Sequence, residues 1–203
     1  MHPAVTTMLT AHERGLGNFQ GYYPMLATVV TSRSSGRSNA MAVAWHAIVS
    51  TDPPAYGVSI SPKRFTHSLI TESKSFCVNF LPKDRAELVA AVGGCSGRDI
   101  DKFKEFRIKT VDPLAVDVPV LEDAYAALEC KVFSAVSCGN HDWFVGHIIA
   151  SHYDRSAFDT DGVMNVSAAK PTAYMGNNMY LLFDSGGLVH LDRKECVALL
   201  SRR

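Results

Sequence analysis

The stretch that decides the fold, Ser38–Asn79, reads SNAMAVAWHAIVSTDPPAYGVSISPKRFTHSLITESKSFCVN. It opens with a run of small residues that ends at Trp45, crosses an Asp-Pro-Pro turn and enters a β-rich segment. Lys63, Arg64 and Thr66 follow that segment. Small residues let a flat ring approach the backbone, and cations beside a hydroxyl suit the oxygens of a phosphate. The stretch therefore favours a ligand that has both a flat ring and a phosphate.

Composition and charge are those of an ordinary globular protein. The 203 residues are 47% hydrophobic and 20% charged, and 20 basic residues balance 20 acidic ones. This length suits one domain, so we expect a single domain over 1–203, with a core at about 20–155 and a C-terminal hairpin and tail at 156–203. The balanced charge gives no reason to expect nucleic acid as a partner.

The sequence also bears on compartment. No apolar run approaches the ~18 residues of a membrane span, and the first residues lack a basic region followed by an apolar one. We therefore expect a cytoplasmic protein with no membrane partner. The five cysteines are odd in number and form no C-x-x-C pair, which is typical of free thiols in a reducing compartment.

Apolar alternation and turn residues predict strands interrupted by short helices. The expected strands are Pro24–Thr31, Asn39–Ser50, Ala55–Ser61, Phe76–Leu81, Ala126–Ser137 and Trp143–Tyr153. Helices are expected at Thr66–Lys74 and Lys83–Val92. The polar cluster Ser32–Ser38 predicts a hairpin loop, and Tyr180–Phe183 with Leu188–Leu191 predicts a last hairpin. The fold class is therefore mainly β with inserted helices, arranged as a small antiparallel barrel with few exposed edges.

Several common functional motifs are absent from the sequence. It has no G-x-G-x-x-G, which disfavours a Rossmann dinucleotide site, and no G-x-x-x-x-G-K-[ST]. It also lacks G-x-S-x-G and H-E-x-x-H. His141, His147 and His152 lie along one segment, but no cysteine or carboxylate stands at a typical metal-ligand spacing. We therefore expect ordinary surface or pocket histidines there and no metal site.

Seven short strings occur in order along the chain. They are N-A-M-A-V-A-W (Asn39–Trp45), V-S-T-D-P-P (Val49–Pro54), V-S-I-S-P-K-R-F-T (Val58–Thr66), F-C-V-N (Phe76–Asn79), S-G-R-D-I-D-K-F (Ser96–Phe103), L-E-C (Leu128–Cys130) and G-N-H-D-W-F-V-G (Gly139–Gly146). Together they resemble the flavin reductase-like, FMN-binding split-barrel family. That family includes flavoredoxins and the reductase components of two-component monooxygenases. The similarity covers about Pro24–Tyr153, with a weaker echo at Lys170–Gly176.

The resemblance implies an antiparallel, Greek-key-like split barrel that forms a homodimer. It also implies FMN, or in some members FAD, near the subunit interface, and NADH or NADPH as the electron donor. A monooxygenase or another redox protein would be a further partner. The cofactor-binding residues that it implies are Asn39, Ala40, Met41, Ala42, Val43, Ala44 and Trp45 at the ring and ribityl chain, Ser59 and Ser61 towards the phosphate, and Lys63, Arg64, Thr66 and Lys102 as phosphate ligands.

His141 is the catalytic candidate that the resemblance implies. It matches the family's Gly-Asp-His turn and would face the nicotinamide or substrate side of the flavin. The family usually carries Asp where this chain has Asn140, and often Ser or Cys in place of Ala44. Two functions remain open: an NAD(P)H-dependent flavin reductase, and a flavoredoxin-like electron carrier or flavin-binding protein that takes electrons from another protein.

The same residues also have purely structural interpretations. Asn39 would close a hairpin, Trp45 would be a core or interface anchor, and His141 would be an ordinary turn histidine. Lys63 and Arg64 would then be a solvated turn. The segment 153–170, beyond the clearest matches, is expected to shape the pocket for the electron acceptor.

Overall fold

The computed structural model describes residues 15–16 and 22–183. The strands are β1 Met25–Leu26, β2 Thr28–Ser34, β3 Arg37–Val43, β4 His46–Thr51, β5 Pro54–Ile60, β6 Ser75–Phe80, β7 Thr110–Val111, β8 Val120–Leu121, β9 Ala126–Cys138, β10 His141–Tyr153, β11 Thr172–Gly176 and β12 Met179–Leu182. The helices are α1 Phe65–Ser73, α2 Ala86–Gly94, α3 Lys102–Glu105 and α4 Val166–Ala169, with 3-10 turns at Lys83–Arg85 and Arg155–Ala157.

The main sheet has seven antiparallel strands in the order β3-β2-β6-β9-β10-β5-β4. Its two edge strands, β3 and β4, are consecutive in the chain and are joined through Ala44 and Trp45. The Trp45 carbonyl accepts the Ser59 amide at 2.9 Å, which ties this junction to β5. The predicted fold class, mainly β with inserted helices in an antiparallel split barrel, is confirmed.

The β2–β3 hairpin is tighter than the sequence predicted. Ser35 and Gly36 alone form the turn, both with positive φ (50° and 72°), and Ser34 pairs with Arg37. Such a two-residue turn matches the right-handed twist of its strands. The rest of the predicted loop Ser32–Ser38 therefore belongs to the two strands.

The predicted strand Asn39–Ser50 is wrong as one element. It is divided into β3 and β4 by a break at Ala44 and Trp45, because the chain passes there from one edge of the sheet to the other. The predicted helix Lys83–Val92 begins as a 3-10 turn and continues as α2 through Gly94. In the predicted last hairpin, Tyr180–Phe183 overlaps β12, which pairs with β11, while Leu188–Leu191 lies outside the described residues.

Two apolar clusters lie on opposite faces of the sheet. One contains Val43 of β3 and Val58 of β5, which come from opposite ends of the strand order, so the sheet curls around this cluster. The other holds Ala40 against Val89 and Val92 of α2. Alternation along β3 therefore sends successive side chains to the two clusters. This arrangement places α2 against the outer face of β3, where the groove described below is found.

A buried carboxylate organises the far side of the sheet. Glu129 is fully buried and accepts backbone N–H groups of Leu114, Ala115 and Val116 at 2.6–2.9 Å. His152 Nε2 lies 2.6 Å from the same carboxylate. Burial raises the pKa of Glu129, but these hydrogen bonds outweigh it and leave the pKa below its usual range. The role of His152 is thus structural.

The described residues also show the state of the cysteines and the results of searches for metal-binding groups and membrane-spanning helices. Cys77, Cys95, Cys130 and Cys138 are free thiols, while Cys196 lies outside the described ranges. Within 15–16 and 22–183, no group of three or more histidine, cysteine or acidic side chains is placed to hold a metal ion. In the same ranges, no helix is both long enough and apolar enough to cross a membrane.

Candidate functional site

A long groove runs between β3, α2 and the start of α1. It consists of two adjoining cavities of about 420 and 360 Å³. Their shared walls are Met41, Ala42, Arg64, Gly93 and Gly94. We name the larger cavity, which extends from these walls to Trp45 and His141, the apolar half. The smaller cavity, which extends to Thr66 and Lys102, is the polar half.

The apolar half is walled by small side chains. Ala42 and Ala44 border it on one side, and Gly93 of α2 lies close by: a Cβ built on Gly93 would stand 3.1 Å from the Ala42 Cβ. A larger side chain at Gly93 would crowd this narrow part of the groove. The predicted cofactor residues that line this half are Met41, Ala42, Val43, Ala44, Trp45, Ser59 and Arg64.

The polar half lies at the N-terminus of α1. Arg64 is the residue before the helix, in extended conformation, and no side chain caps the helix. The first turn carries no acidic residue. Free N–H groups at a helix start, with the positive end of the helix dipole, favour an anion. The predicted residues that line this half are Asn39, Met41, Ala42, Lys63, Arg64, Thr66 and Lys102.

Asn39 and Thr66 form a buried polar pair in the wall of the polar half. Asn39 is 3% exposed, and its Nδ2 donates to Thr66 Oγ1 at 2.8 Å. Asn39 Oδ1 is buried and accepts no hydrogen bond within the described structure. A Cβ at Gly97 would lie 2.1 Å from that oxygen, so only glycine fits there. Asn39 does more than close a hairpin, because its side chain joins β3 to α1.

Lys102 is a buried cation that joins β3 to α2. The residue is 3% exposed, and its Nζ donates to the carbonyls of Ala40 at 2.9 Å and Val92 at 2.6 Å. Burial lowers the pKa of Lys102; Cys95 opposes this shift and Arg64 adds to it. Two of the three ammonium donors are therefore used within the protein.

The structure does not place two of the predicted residues on the groove. Ala40 is fully buried and packs towards α2, so only its carbonyl takes part, through Lys102. Ser61 shapes the turn before α1: its carbonyl accepts the Arg64 amide at 2.9 Å, and its hydroxyl is 3.4 Å from the Lys63 amide. Both residues therefore affect the groove through hydrogen bonds that fix its backbone, Ala40 at Lys102 and Ser61 in the turn before α1.

His141 lines the apolar half at the start of β10. Its ring centroid is 5.0 Å from that of Trp45, which is 39% exposed. Its Nδ1 is 2.7 Å from Asn140 Oδ1, so the Asn that stands in place of the family's Asp still orients the ring without a charge. Next to it, Asp142 accepts from His67 Nε2 at 2.7 Å, and this bond holds the pKa of Asp142 below its usual range. That pair ties β10 to α1.

No sequence pattern predicted the far wall of the apolar half. It is built by Tyr23, Tyr174, Asn178 and Tyr180, three of which come from the β11–β12 hairpin region. The tyrosine rings are packed together, with Tyr174 centroids 5.2 Å from Tyr23 and 5.3 Å from Tyr180. The weak similarity at Lys170–Gly176 was the one available signal. Of the described residues that line the groove, none falls in 153–170, the segment expected to shape the pocket.

The family of this chain follows from its match to a known protein domain. The flavin reductase like domain matches residues 20–182. The chain belongs to the flavin reductase-like family. The match spans the barrel and both halves of the groove, and it confirms the resemblance seen in the seven strings.

Individual relatives of this flavin reductase-like chain agree with that assignment. An uncharacterised protein of Pyrococcus abyssi is 34% identical over 143 residues, 69% of this chain and 82% of the relative. The FMN reductase (NADH) RutF of Bradyrhizobium diazoefficiens is 30% identical over 152 residues, 70% of this chain and 82% of the relative. An FMN-binding protein from Thermus thermophilus, crystallised with 1-cyclohex-2-enone, superposes with a TM-score of 0.79 at 33% identity, covering 90% of this chain and 100% of that one.

Proposed function

We propose that this flavin reductase-like protein binds FMN in the groove and catalyses hydride transfer to it from NADH or NADPH. The observation that carries the proposal is that one groove has small side chains, Ala42, Ala44 and Gly93, along one half and a helix N-terminus at the other. An isoalloxazine ring suits the first half and a ribityl phosphate suits the second. The similarity to proteins named FMN reductase (NADH) and FMN-binding protein supports the same cofactor.

The residues of the groove fit FMN in their donors and acceptors. Arg64 and the start of α1 offer N–H donors to a phosphate. Asn39 Oδ1 is a buried acceptor without a donor in the described structure, and a ribityl hydroxyl is a group that would supply one. Lys63, at the exposed rim, adds positive charge. Lys102 holds the floor of the groove between β3 and α2.

In the proposed reaction the protein orients two rings against each other. Bound FMN supplies the electrophilic ring position that accepts the hydride. Trp45 and His141 stand side by side at the edge of the apolar half, where they would position a nicotinamide against the exposed ring face. The tyrosines of the far wall close the opposite side. No acid–base pair is required, so orientation is the residues' main contribution.

The proposal is tested by titrating the purified protein with FMN and then mixing the complex with NADH, and separately with NADPH, without oxygen. We expect micromolar or tighter FMN binding and rapid bleaching of the flavin absorption by at least one nucleotide. Binding without bleaching by either nucleotide would instead favour an electron carrier reduced by another protein. Absence of FMN binding at micromolar protein would refute the proposal.

The role of His141 is tested by the change His141→Ala. Because His141 lines the apolar half and contributes nothing to the polar half, FMN affinity should stay within about twofold of wild type. The bleaching rate should fall roughly tenfold, because a less well-oriented nicotinamide reaches the reactive geometry less often. An unchanged rate in stopped-flow measurements would remove His141 from the mechanism.

We also propose that the protein is a homodimer. The last four strands in the order of the main sheet are β9-β10-β5-β4. Three of them expose large apolar side chains. These side chains are Ile48 and Val49 on β4, Phe133 and Val136 on β9, and Ile149 on β10. His147 Nδ1 in the same region is buried and has no hydrogen-bond partner in the described chain. Apolar surface of this kind is typical of a face that another subunit covers.

The change Phe133→Glu tests the dimer. Phe133 is 55% exposed and stacks on His147 at 4.2 Å between ring centroids, so a carboxylate there would be desolvated in an interface. We expect dimer affinity to fall on the order of tenfold or more. Val163→Glu is the matched control, because Val163 is similarly exposed (61%) but lies in a loop outside these strands. Light scattering that shows the same mass for wild type and Phe133→Glu at all concentrations would contradict this interface.

A further inference from the structure

His46 joins the small sheet that carries the far wall of the apolar half to the main sheet. The residue begins β4, directly after Trp45, and its backbone pairs with Val58 of β5. Its ring reaches across to β1, where Nε2 lies 2.9 Å from the Leu26 carbonyl oxygen. β1 pairs with β11, which carries Tyr174. One side chain therefore connects the Trp45 side of the apolar half to the tyrosine side.

The second ring nitrogen of His46 contacts a buried hydroxyl. Nδ1 lies 2.7 Å from Tyr56 Oη, and Tyr56 is 7% exposed. The Leu26 carbonyl can only accept, so Nε2 carries the hydrogen and Nδ1 of the neutral ring accepts from the Tyr56 hydroxyl. Burial raises the pKa of Tyr56, which keeps this hydroxyl protonated and able to donate. The two bonds therefore fix one tautomer of neutral His46.

The surroundings of His46 offer nothing to balance a positive charge. Its ring packs on Tyr56 of β5 at 5.8 Å and on Phe80 of β6 at 6.1 Å between centroids. The strands β1, β5 and β6 contain no acidic or basic residue, and β4 contains none besides His46. Behind Tyr56, burial raises the pKa of Tyr125 and of Cys130 to about 12, so both groups are neutral. Burial likewise lowers the pKa of His46, and its bond to the Leu26 backbone opposes this shift only in part.

We propose that His46 is a positioning residue for the flavin ring, and that only its neutral form holds the far wall against the Trp45 side of the groove. This rests on the proposed function, because the ring would occupy the apolar half. A proton on Nδ1 turns that nitrogen into a donor, and the Tyr56 hydrogen is left without an acceptor in the described structure. A buried charge and an unpaired hydroxyl favour rotation of the imidazole towards solvent, which breaks its bond to Leu26.

The bond from His46 to Leu26 is a link between the two sheets whose strength depends on pH. Backbone bonds also hold the small sheet, from the Lys83 amide to the Lys170 carbonyl at 2.6 Å and from the Ala27 amide to the Thr172 carbonyl at 2.9 Å. Backbone amides do not titrate between about pH 5 and 8, whereas histidine does. These bonds remain when His46 is protonated, so the far wall shifts and the chain stays folded.

The experiment measures FMN affinity by quenching of flavin fluorescence from about pH 5 to pH 8, for wild type, His46→Gln and His46→Leu. The FMN phosphate titrates in this range for all three proteins, so each variant is compared with wild type at the same pH. His46→Gln keeps a donor for Leu26 and an acceptor for Tyr56 without a titrating group. It should match wild type at the alkaline end and bind FMN about fivefold more tightly than wild type at the acid end, where wild type loses a hydrogen bond.

His46→Leu should show the opposite pattern. Without either hydrogen bond it should bind FMN about fivefold more weakly than wild type at the alkaline end and equally at the acid end. If His46→Leu does not fold, the comparison of His46→Gln with wild type is sufficient. His141→Ala is the matched control, because His141 lines the same half of the groove and is a second histidine that could titrate there. Its affinity relative to wild type should not change with pH.

Circular dichroism of wild type should stay unchanged over the same range, since the expected change is a movement of the far wall. The inference is overturned if the ratio of the His46→Gln and wild-type affinities is constant with pH. It is also overturned if that dependence appears for His141→Ala instead, or if wild type unfolds at the acid end. All of these outcomes require that FMN binds at the alkaline end, whereas failure of the proposed function would appear as no FMN binding at any pH.

Discussion

Replacing Arg64 by alanine is expected to weaken FMN binding about 100-fold, because a charge-assisted, two-pronged contact with a phosphate is lost. Arg64 stands directly before α1 and borders both halves of the groove. Its guanidinium adds to the positive end of the helix, where no side chain occupies the free N–H groups. In the proposed FMN complex the two effects would act on the same phosphate, so removal of the side chain should weaken the anion site without abolishing it.

Riboflavin gives the sharpest control for Arg64→Ala, since it has the same ring and ribityl chain without the phosphate. Riboflavin affinity should change less than about threefold if Arg64 acts on the phosphate. Lys63→Ala should weaken FMN binding less than Arg64→Ala does, because Lys63 borders only the polar half and lacks a planar pair of donors. Equal losses for FMN and riboflavin, measured by calorimetry, would mean that Arg64 shapes the groove and does not bind the phosphate.

The fold was largely predictable because its strands are apolar, β-rich runs bounded by turn residues. The long pair β9 and β10 falls close to its predicted bounds, and α1 differs by one residue at each end. What the pattern could not predict is where strands change partners. The junction at Ala44 and Trp45 interrupts an unbroken apolar run, and only the return of the chain to the opposite edge of the sheet requires the break there.

The part of the site that lies within one short stretch of sequence was predictable. Met41, Ala42 and Ala44 do line the groove, as the small-residue run suggested. The far wall was not predictable, because Tyr23 and Tyr180 are distant in sequence and meet through the pairing of β1, β11 and β12. Such a wall depends on tertiary contacts between short strands, and no spacing rule within one segment can reveal it.

Strand alternation alone does not explain why Ala40 is off the groove, because Ala42 shares its face of β3 and lines both halves. Ala40 is fully buried. Its neighbours Asn39 and Met41 both line the groove, whereas the Ala40 side chain packs under α2. The sequence grouped all three in one string. Ala40 contributes through its backbone carbonyl. The residue types in a sequence do not show which backbone groups form such contacts. That carbonyl accepts a hydrogen bond from the Lys102 ammonium.

Replacing Lys102 by methionine is expected to lower the free energy of unfolding by about 3 kcal/mol, because the buried carbonyls of Ala40 and Val92 lose a charged donor. For a domain of this size the melting temperature should fall on the order of 10 °C. FMN affinity should fall as well, since α2 and β3 form the walls shared by the two halves of the groove. Lys104→Met is the matched control, because that side chain is 87% exposed on the same helix.

The two measurements together separate the possible roles of Lys102. If Lys102 bound only the phosphate, Lys102→Met would lower FMN affinity and leave the melting temperature unchanged. A cation that holds β3 to α2 changes both, and riboflavin binding then falls along with FMN binding. We expect the second result, because two of the three ammonium donors are already bound to backbone carbonyls. Unchanged stability of Lys102→Met would show that α2 is held by its apolar contacts alone, with Val89 and Val92 packed against Ala40.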